Sequence, residues 1–235
     1  MVDYLGSGEV LLIQKENDWF FPSAANFESM KRPLVLGIAG GSGSGKSTIV
    51  ERLMKGRYGQ QISLLAHDSY YLGSDRLPRE SDGAPNWDHP EALDNQLLLD
   101  HLDELIQGKS IESPSYDFNR HTRTSLTRQV PNRPVILLEG ILLFAIKEIR
   151  DRIDLRIYVE TPADIRIVRR TVRDIEERGR DASSVAAQYH SSVRPMHELH
   201  VEPSKYFAHI WIPWIEKNDI AIEVIESVIS TSLNA

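Results

Sequence analysis

The 235-residue chain contains no cysteine, which excludes disulfides and cysteine-ligated zinc and fits a reducing compartment. It has no apolar run near the roughly 20 residues that span a bilayer. Its opening, MVDYLGSGEV, lacks the basic start and apolar centre of a secretory signal. A cytoplasmic location without a membrane partner is therefore expected. Basic residues are outnumbered 27 to 34, for a net charge of −7. An acidic balance disfavours non-specific nucleic-acid binding, so no nucleic-acid partner is expected. Internal repeats and low-complexity tracts are also missing. The 41% hydrophobic content suffices for one large domain core.

What is present is concentrated in LVLGIAGGSGSGKS, residues Leu34–Ser47. An apolar, β-forming run leads into Gly40, Gly41, Ser42, Gly43, Ser44, Gly45, Lys46 and Ser47, a complete G-x-x-x-x-G-K-S phosphate loop. Glycines tolerate positive φ and let backbone N–H groups curl around phosphate oxygens. Lys46 adds a cation for the outer phosphates, and the Ser47 hydroxyl suits Mg²⁺. From Thr48 onward the pattern is helical, so a helix N-terminus points at the anion. A plain Gly/Ser turn rarely combines a strand before it with Lys-Ser behind it. A nucleoside triphosphate is the expected ligand.

Residues 1–32 read as an N-terminal extension without a chemical motif, with a short strand over Glu9–Gln14 and an aromatic anchor at Trp19–Pro22. Residues 33–235 form the expected catalytic domain. Strands at 34–39, 62–66, 135–138, 155–159 and 210–212 alternate with helices at 46–55, 94–107, 162–178 and 220–233, as in a parallel sheet covered by helices. A further helical stretch over 183–199 is interrupted at Pro195. Residues 109–130 read as an inserted hairpin.

In an open α/β sheet, ligands bind beyond the carboxyl ends of the strands. Asp68 lies just after the strand 62–66, as a general base for an attacking hydroxyl or as an ordinary loop cap. Glu139 ends the strand 135–138, as a Mg²⁺-holding acid or a plain strand-end carboxylate. Arg166, Arg169, Arg170 and Arg173 recur at i, i+3, i+4, i+7 and share a helix face. That face is either solvated and paired with neighbouring acids, Asp174 among them, or part of a lid over 165–183 that neutralises a triphosphate, with Gly179 as hinge. Trp87, Asp88, Tyr116, Phe118 and His121 fall in two polar-aromatic clusters. These suit a planar base on a sugar, or core packing.

The ordered set GGSGSGKS, HDSYY, NWDHPEALDN, YDFNRHTR, LLEGIL and RDIEERGRD resembles the uridine kinase (uridine–cytidine kinase) family, from about Pro33 to Pro213. The resemblance implies a P-loop NTPase-type α/β three-layer sandwich with a parallel sheet, an inserted hairpin and an Arg-rich lid. It also implies transfer of the ATP γ-phosphate to the 5′-hydroxyl of a pyrimidine ribonucleoside. In that picture Asp68 is the base, with Lys46 beside it. Asp88 and Arg170 hold the ribose, while Tyr71, Trp87, Tyr116, Phe118, His121 and Arg180 enclose or read the base. Gln188 also matches the nucleoside site. Arg173 and Arg178 reach the phosphates, and Ser47 and Glu139 attend Mg²⁺. A homotetramer is implied as well. The alternatives are a phosphoribulokinase-like enzyme acting on a sugar phosphate and a nucleotide-binding regulatory protein. Three departures stand out: His67 in place of Gln, Trp87 in place of Phe or Tyr, and Trp214-Ile215-Glu216-Lys217 in place of a Gly-rich turn before Asn218.

Overall fold

The computed structural model describes residues 32–80 and 83–234. The expected strand at 9–14 and the anchor at 19–22 lie outside the described residues. Five strands, β1 (Leu34–Ala39), β2 (Ile62–Ala66), β5 (Val135–Glu139), β6 (Leu155–Glu160) and β7 (Ile210–Pro213), form one parallel sheet ordered β2-β5-β1-β6-β7. The first strand therefore occupies the centre, because its fully apolar sequence can be buried on both faces. Ala66 and Ile38 both pair with Glu139, so the carboxyl ends of β2, β5 and β1 finish level. The phosphate loop, Asp68 and Glu139 thus share one edge of the sheet.

Alternate side chains of each strand serve two cores. Leu34, Leu36 and Ile38 join Ile49 and Leu53 of α1 (Lys46–Lys55) and Ile222, Ile225 and Ile229 of α6 (Asp219–Leu233) on one face. Val35, Ile136 and Leu138 join Leu98, Leu102 and Leu105 of α2 (Asn95–Ile106) and Phe144 on the other. This is the expected three-layer sandwich. Asp94 caps α2 through Leu97 N, at 3.3 Å.

The hairpin forms as β3 (Ile111–Asp117) and β4 (Thr122–Val130), paired antiparallel in a separate sheet. Arg123 fastens it to the domain, donating to Asp94 Oδ2 at 3.1 Å and to the Tyr70 carbonyl at 2.9 Å. A short helix, α3 (Lys147–Arg150), was not expected from the sequence; four residues carry too little periodicity to register.

Helix α4 (Ala163–Arg178) begins at Pro162 and ends at Gly179, whose φ of 60° is left-handed. The next helical stretch differs from expectation. It starts with α5 (Ala182–Gln188), capped by Asp181, and is not broken at Pro195. It continues through two π segments, Tyr189–Val193 and His197–Val201, to a last turn at Lys205–Phe207. Pro195 and Pro203 follow these segments. A proline has no N–H to donate and crowds the carbonyl four residues back, and a wider turn accommodates both effects. Among the described residues, no helix is long and apolar enough to cross a membrane.

Candidate active site

The phosphate loop is shaped by its neighbours as well as its glycines. Gly43 and Gly45 adopt φ of 77° and 99°, values that strain any residue with a Cβ. A Cβ on Gly43 would also lie 2.3 Å from the Arg166 carbonyl oxygen, and one on Gly45 would lie 2.2 Å from Trp214 Cδ1. Lys46, buried, donates to the Gly41 carbonyl at 3.1 Å and lies 3.9 Å from Glu139 Oε1. Burial lowers the Lys46 pKa against the opposing pull of Glu139 and Asp68. Burial likewise raises the Glu139 pKa to about 7, although Lys46 acts the other way. Ser47 and Thr48 stay exposed in the first turn of α1, beside the loop.

A cleft of about 640 Å³, partly open to solvent, lies alongside. Asp68 reaches it from the turn His67–Tyr70 that directly follows β2. Tyr71, Tyr116 and Phe118 make one wall, with the Tyr71 and Tyr116 rings 5.3 Å apart and Tyr116 and Phe118 5.1 Å apart. Trp87 and His121 make another, their rings 4.9 Å apart and 38° from parallel. His121 sits in the β3–β4 turn with a positive φ of 51°. Asp88, buried, accepts from Ser192 Oγ at 2.7 Å; burial raises its pKa, with Arg170 opposing. Arg170, Arg173, Arg178, Arg180 and Gln188 complete the lining. Arg170 bridges the two parts of the site, donating to Ser42 Oγ at 2.9 Å and to Gln188 Oε1 at 3.0 Å.

Every acceptor-side residue expected from the sequence therefore meets in one cleft. The arginine face, however, divides. Arg166 is buried and donates to the Thr161 carbonyl at 3.0 Å. Arg169 donates to the carbonyls of Trp214 and Ile215 at 2.9 and 2.6 Å. These two brace the phosphate loop and the segment after β7, and only the later arginines line the cleft. Sequence reasoning missed three participants. Ile141 falls within LLEGIL, but a plain apolar side chain carries no chemistry that marks it for the site. Ser192 meets Asp88 only through the fold. Asp174 counted among the solvated acids, yet it is fully buried among four arginines.

Among the described residues, no three His, Cys, Asp or Glu side chains gather into a metal site of their own. The donors present, an exposed Ser47 hydroxyl and the Glu139 carboxylate, fit a Mg²⁺ ion that takes its remaining ligands from phosphate and water.

A phosphate loop at a strand end, facing a cleft lined by carboxylates, arginines and aromatic rings, defines a P-loop phosphotransferase. The chain belongs to the phosphoribulokinase / uridine kinase family, whose model matches residues 35–221. It is 46% identical over 205 residues to a uridine kinase of Clostridium perfringens, covering 87% of this chain and 98% of that protein. It is 45% identical over 203 residues to a uridine kinase of Bacillus subtilis, covering 86% and 96%. Phosphoribulokinase from Rhodobacter spheroides superimposes with a TM-score of 0.62 at 14% identity, over 86% of this chain and 99% of that one. D-glycerate 3-kinase from Cryptococcus neoformans does so with a TM-score of 0.55 at 18% identity, over 73% and 80%. The two structural likenesses show the shared fold. Family membership implies ATP as the phosphoryl donor.

Proposed function

We propose that this enzyme transfers the γ-phosphate of ATP to the 5′-hydroxyl of uridine or cytidine. One observation carries the reading: the cleft that holds Asp68 also holds two sets of aromatic rings, beside a phosphate loop. A nucleoside offers both a hydroxyl for Asp68 and a planar base for Trp87, His121, Tyr71, Tyr116 and Phe118. A sugar phosphate has no base to stack. The 46% identity to a uridine kinase over nearly all of that protein supports the same acceptor class.

In the reaction, Asp68 accepts the hydroxyl proton as that oxygen bonds to the γ-phosphorus. The bond from the γ-phosphorus to its bridging oxygen breaks, and ADP leaves. Such transfers depend on positioning and charge stabilisation. Asp88 and Arg170 orient the ribose, and Gln188 and Arg180 border the base. Lys46, Arg173 and Arg178 neutralise the phosphates. Ser47 and Glu139 would hold Mg²⁺, which when bound screens the outer phosphates. Assembly into a homotetramer in the cytoplasm completes the proposal. Val168, Val172 and Ile175 lie exposed along one stripe of α4 and would be covered on association.

The test is an acceptor panel with labelled ATP and product identification. Formation of UMP or CMP, with turnover rising many-fold when the nucleoside is added, is expected. Equal turnover with and without nucleoside would overturn the assignment.

A further inference from the structure

Asp174 lies at the centre of the arginine cluster and is fully buried. Its two carboxylate oxygens serve different partners. Oδ1 accepts from Arg173 Nε and NH2 at 3.0 and 2.7 Å and lies 3.6 Å from Arg178 NH1. Oδ2 accepts from Arg180 NH1 at 3.3 Å and lies 3.6 Å from Arg170 Nε. The two sets face different ends of the site, although Arg170 also donates to Ser42 Oγ of the phosphate loop at 2.9 Å. The charge of Arg173 is felt at Lys46 and Glu139, beside the phosphate loop. The charges of Arg170 and Arg180 are felt at Asp88, and both guanidinium groups donate to Gln188 Oε1, at 3.0 and 2.5 Å. Arg178 stands between them, over the Phe118 ring at 4.4 Å. The Asp174 backbone is anchored too, since Arg180 N donates to the Asp174 carbonyl at 3.1 Å across Gly179.

Four guanidinium groups thus share one carboxylate, and a buried network of that kind responds as a unit. A triphosphate at Lys46 competes with Oδ1 for Arg173. When Arg173 turns to phosphate, the carboxylate keeps its full charge and has fewer partners, so its hold on Arg180 and Arg170 strengthens. We propose that Asp174 is a positioning residue that couples the two substrates: donor binding releases Arg173 from Oδ1 and thereby fixes Arg170 and Arg180 around the acceptor. Linkage requires that the acceptor tighten donor binding by the same factor.

The proposal rests on the nucleoside-kinase reading, and calorimetry separates the two. Uridine binding is measured with and without a non-hydrolysable ATP analogue and Mg²⁺. In the wild type, the analogue should tighten uridine about 5-fold or more, within the usual range of coupling between sites. In Asp174→Asn both ligands should still bind, each more weakly, with the coupling factor near 1. A general structural defect lowers both affinities without abolishing their ratio. A wild-type factor near 1, or an undiminished factor in Asp174→Asn, overturns the proposal. If circular dichroism shows that Asp174→Asn is unfolded, Arg173→Gln replaces it, and persistence of the coupling there is equally decisive. If uridine does not bind the wild type, the nucleoside reading fails, and the same ratio is measured with whichever alcohol the acceptor panel shows to be phosphorylated.

Discussion

The Trp214 indole occupies the place where a side chain on Gly45 would have to go, 2.2 Å from a Cβ built there. Trp214 is 4% exposed, and its carbonyl accepts from Thr161 Oγ1 at 3.2 Å and from Arg169 NH1 at 2.9 Å. Trp214, just after β7, therefore buttresses the phosphate loop from behind. Trp214→Ala should cost about 3–5 kcal/mol of stability, the usual range for emptying a buried aromatic site. It should also weaken ATP binding, whereas Trp214→Phe retains most of both. Thermal unfolding and ATP titration of the two variants check this; an Ala variant with wild-type stability would refute the buttress.

Asp68→Asn should lower kcat by roughly 10² to 10⁴, the usual contribution of a positioned base. ATP affinity should change far less, because the proposed role of Asp68 is on the acceptor hydroxyl and Asn keeps the shape of the side chain. Rapid-quench rates and equilibrium ATP binding measure the two quantities separately. Near-normal turnover would remove Asp68 from the role.

The sheet was legible because its strands are short, apolar and bounded by glycine, proline or acid; β1, β2 and α1 fall where the pattern places them. The cleft was legible because most of its residues sit in motifs, Arg170 and Gln188 excepted. The division of the arginines was not. Spacing at i, i+3, i+4, i+7 puts Arg166, Arg169, Arg170 and Arg173 on one face, but which neighbour each meets depends on α5, the π segments after it and Trp214. The burial of Asp174 was hidden for the same reason, since an acid in a charged helix usually faces water. Helix continuity past Pro195 was illegible because π turns leave no hydrophobic period of their own.

Arg123 is a polar tie between the hairpin and the domain, joining β4 to Asp94 and to the Tyr70 carbonyl, with a second at Arg128, which donates to the Leu64 carbonyl at 3.2 Å. Arg123→Ala should loosen the hairpin that carries Tyr116, Phe118 and His121. The acceptor KM should rise on the order of 10-fold, the scale of a lost charge-assisted hydrogen bond. ATP affinity should stay unchanged, because the phosphate loop lies on the main sheet. Steady-state kinetics with each substrate varied in turn distinguishes this from a general loss of stability.

Acid should destabilise the fold through its histidines. Six of the eight, His67, His101, His121, His197, His200 and His209, have pKa values lowered chiefly by burial, His197 and His209 to about 4. The folded state then binds fewer protons than the unfolded chain below about pH 6.5, so stability rises with pH in that window and is lost as pH falls through it. Glu139 and Asp88 act in the opposite sense, since a raised carboxylate pKa favours the folded state on acidification. These two are outnumbered by the histidines. The melting midpoint should therefore drop by several degrees between about pH 7.5 and 5.0; a rise would contradict the assignment of histidines held neutral by the folded state.

Glu139 makes a further prediction about the donor site. Burial raises its pKa to about 7 against the pull of Lys46, so it holds a proton more readily near neutral pH than an ordinary carboxylate. A cation brought in with ATP favours the ionised carboxylate and lowers that pKa, so Mg²⁺–ATP binding at pH 7 should release protons to the buffer. The release should be larger at pH 6.5 than at pH 8, where Glu139 is already ionised. Calorimetry in two buffers of different ionisation enthalpy counts the protons. Glu139→Gln keeps the shape of the side chain but has no proton to lose, and the difference between the two proteins isolates this residue from Lys46, 3.9 Å away. Equal release from both would mean that the proton comes from elsewhere, and that Glu139 is already ionised beside Lys46 before the nucleotide arrives.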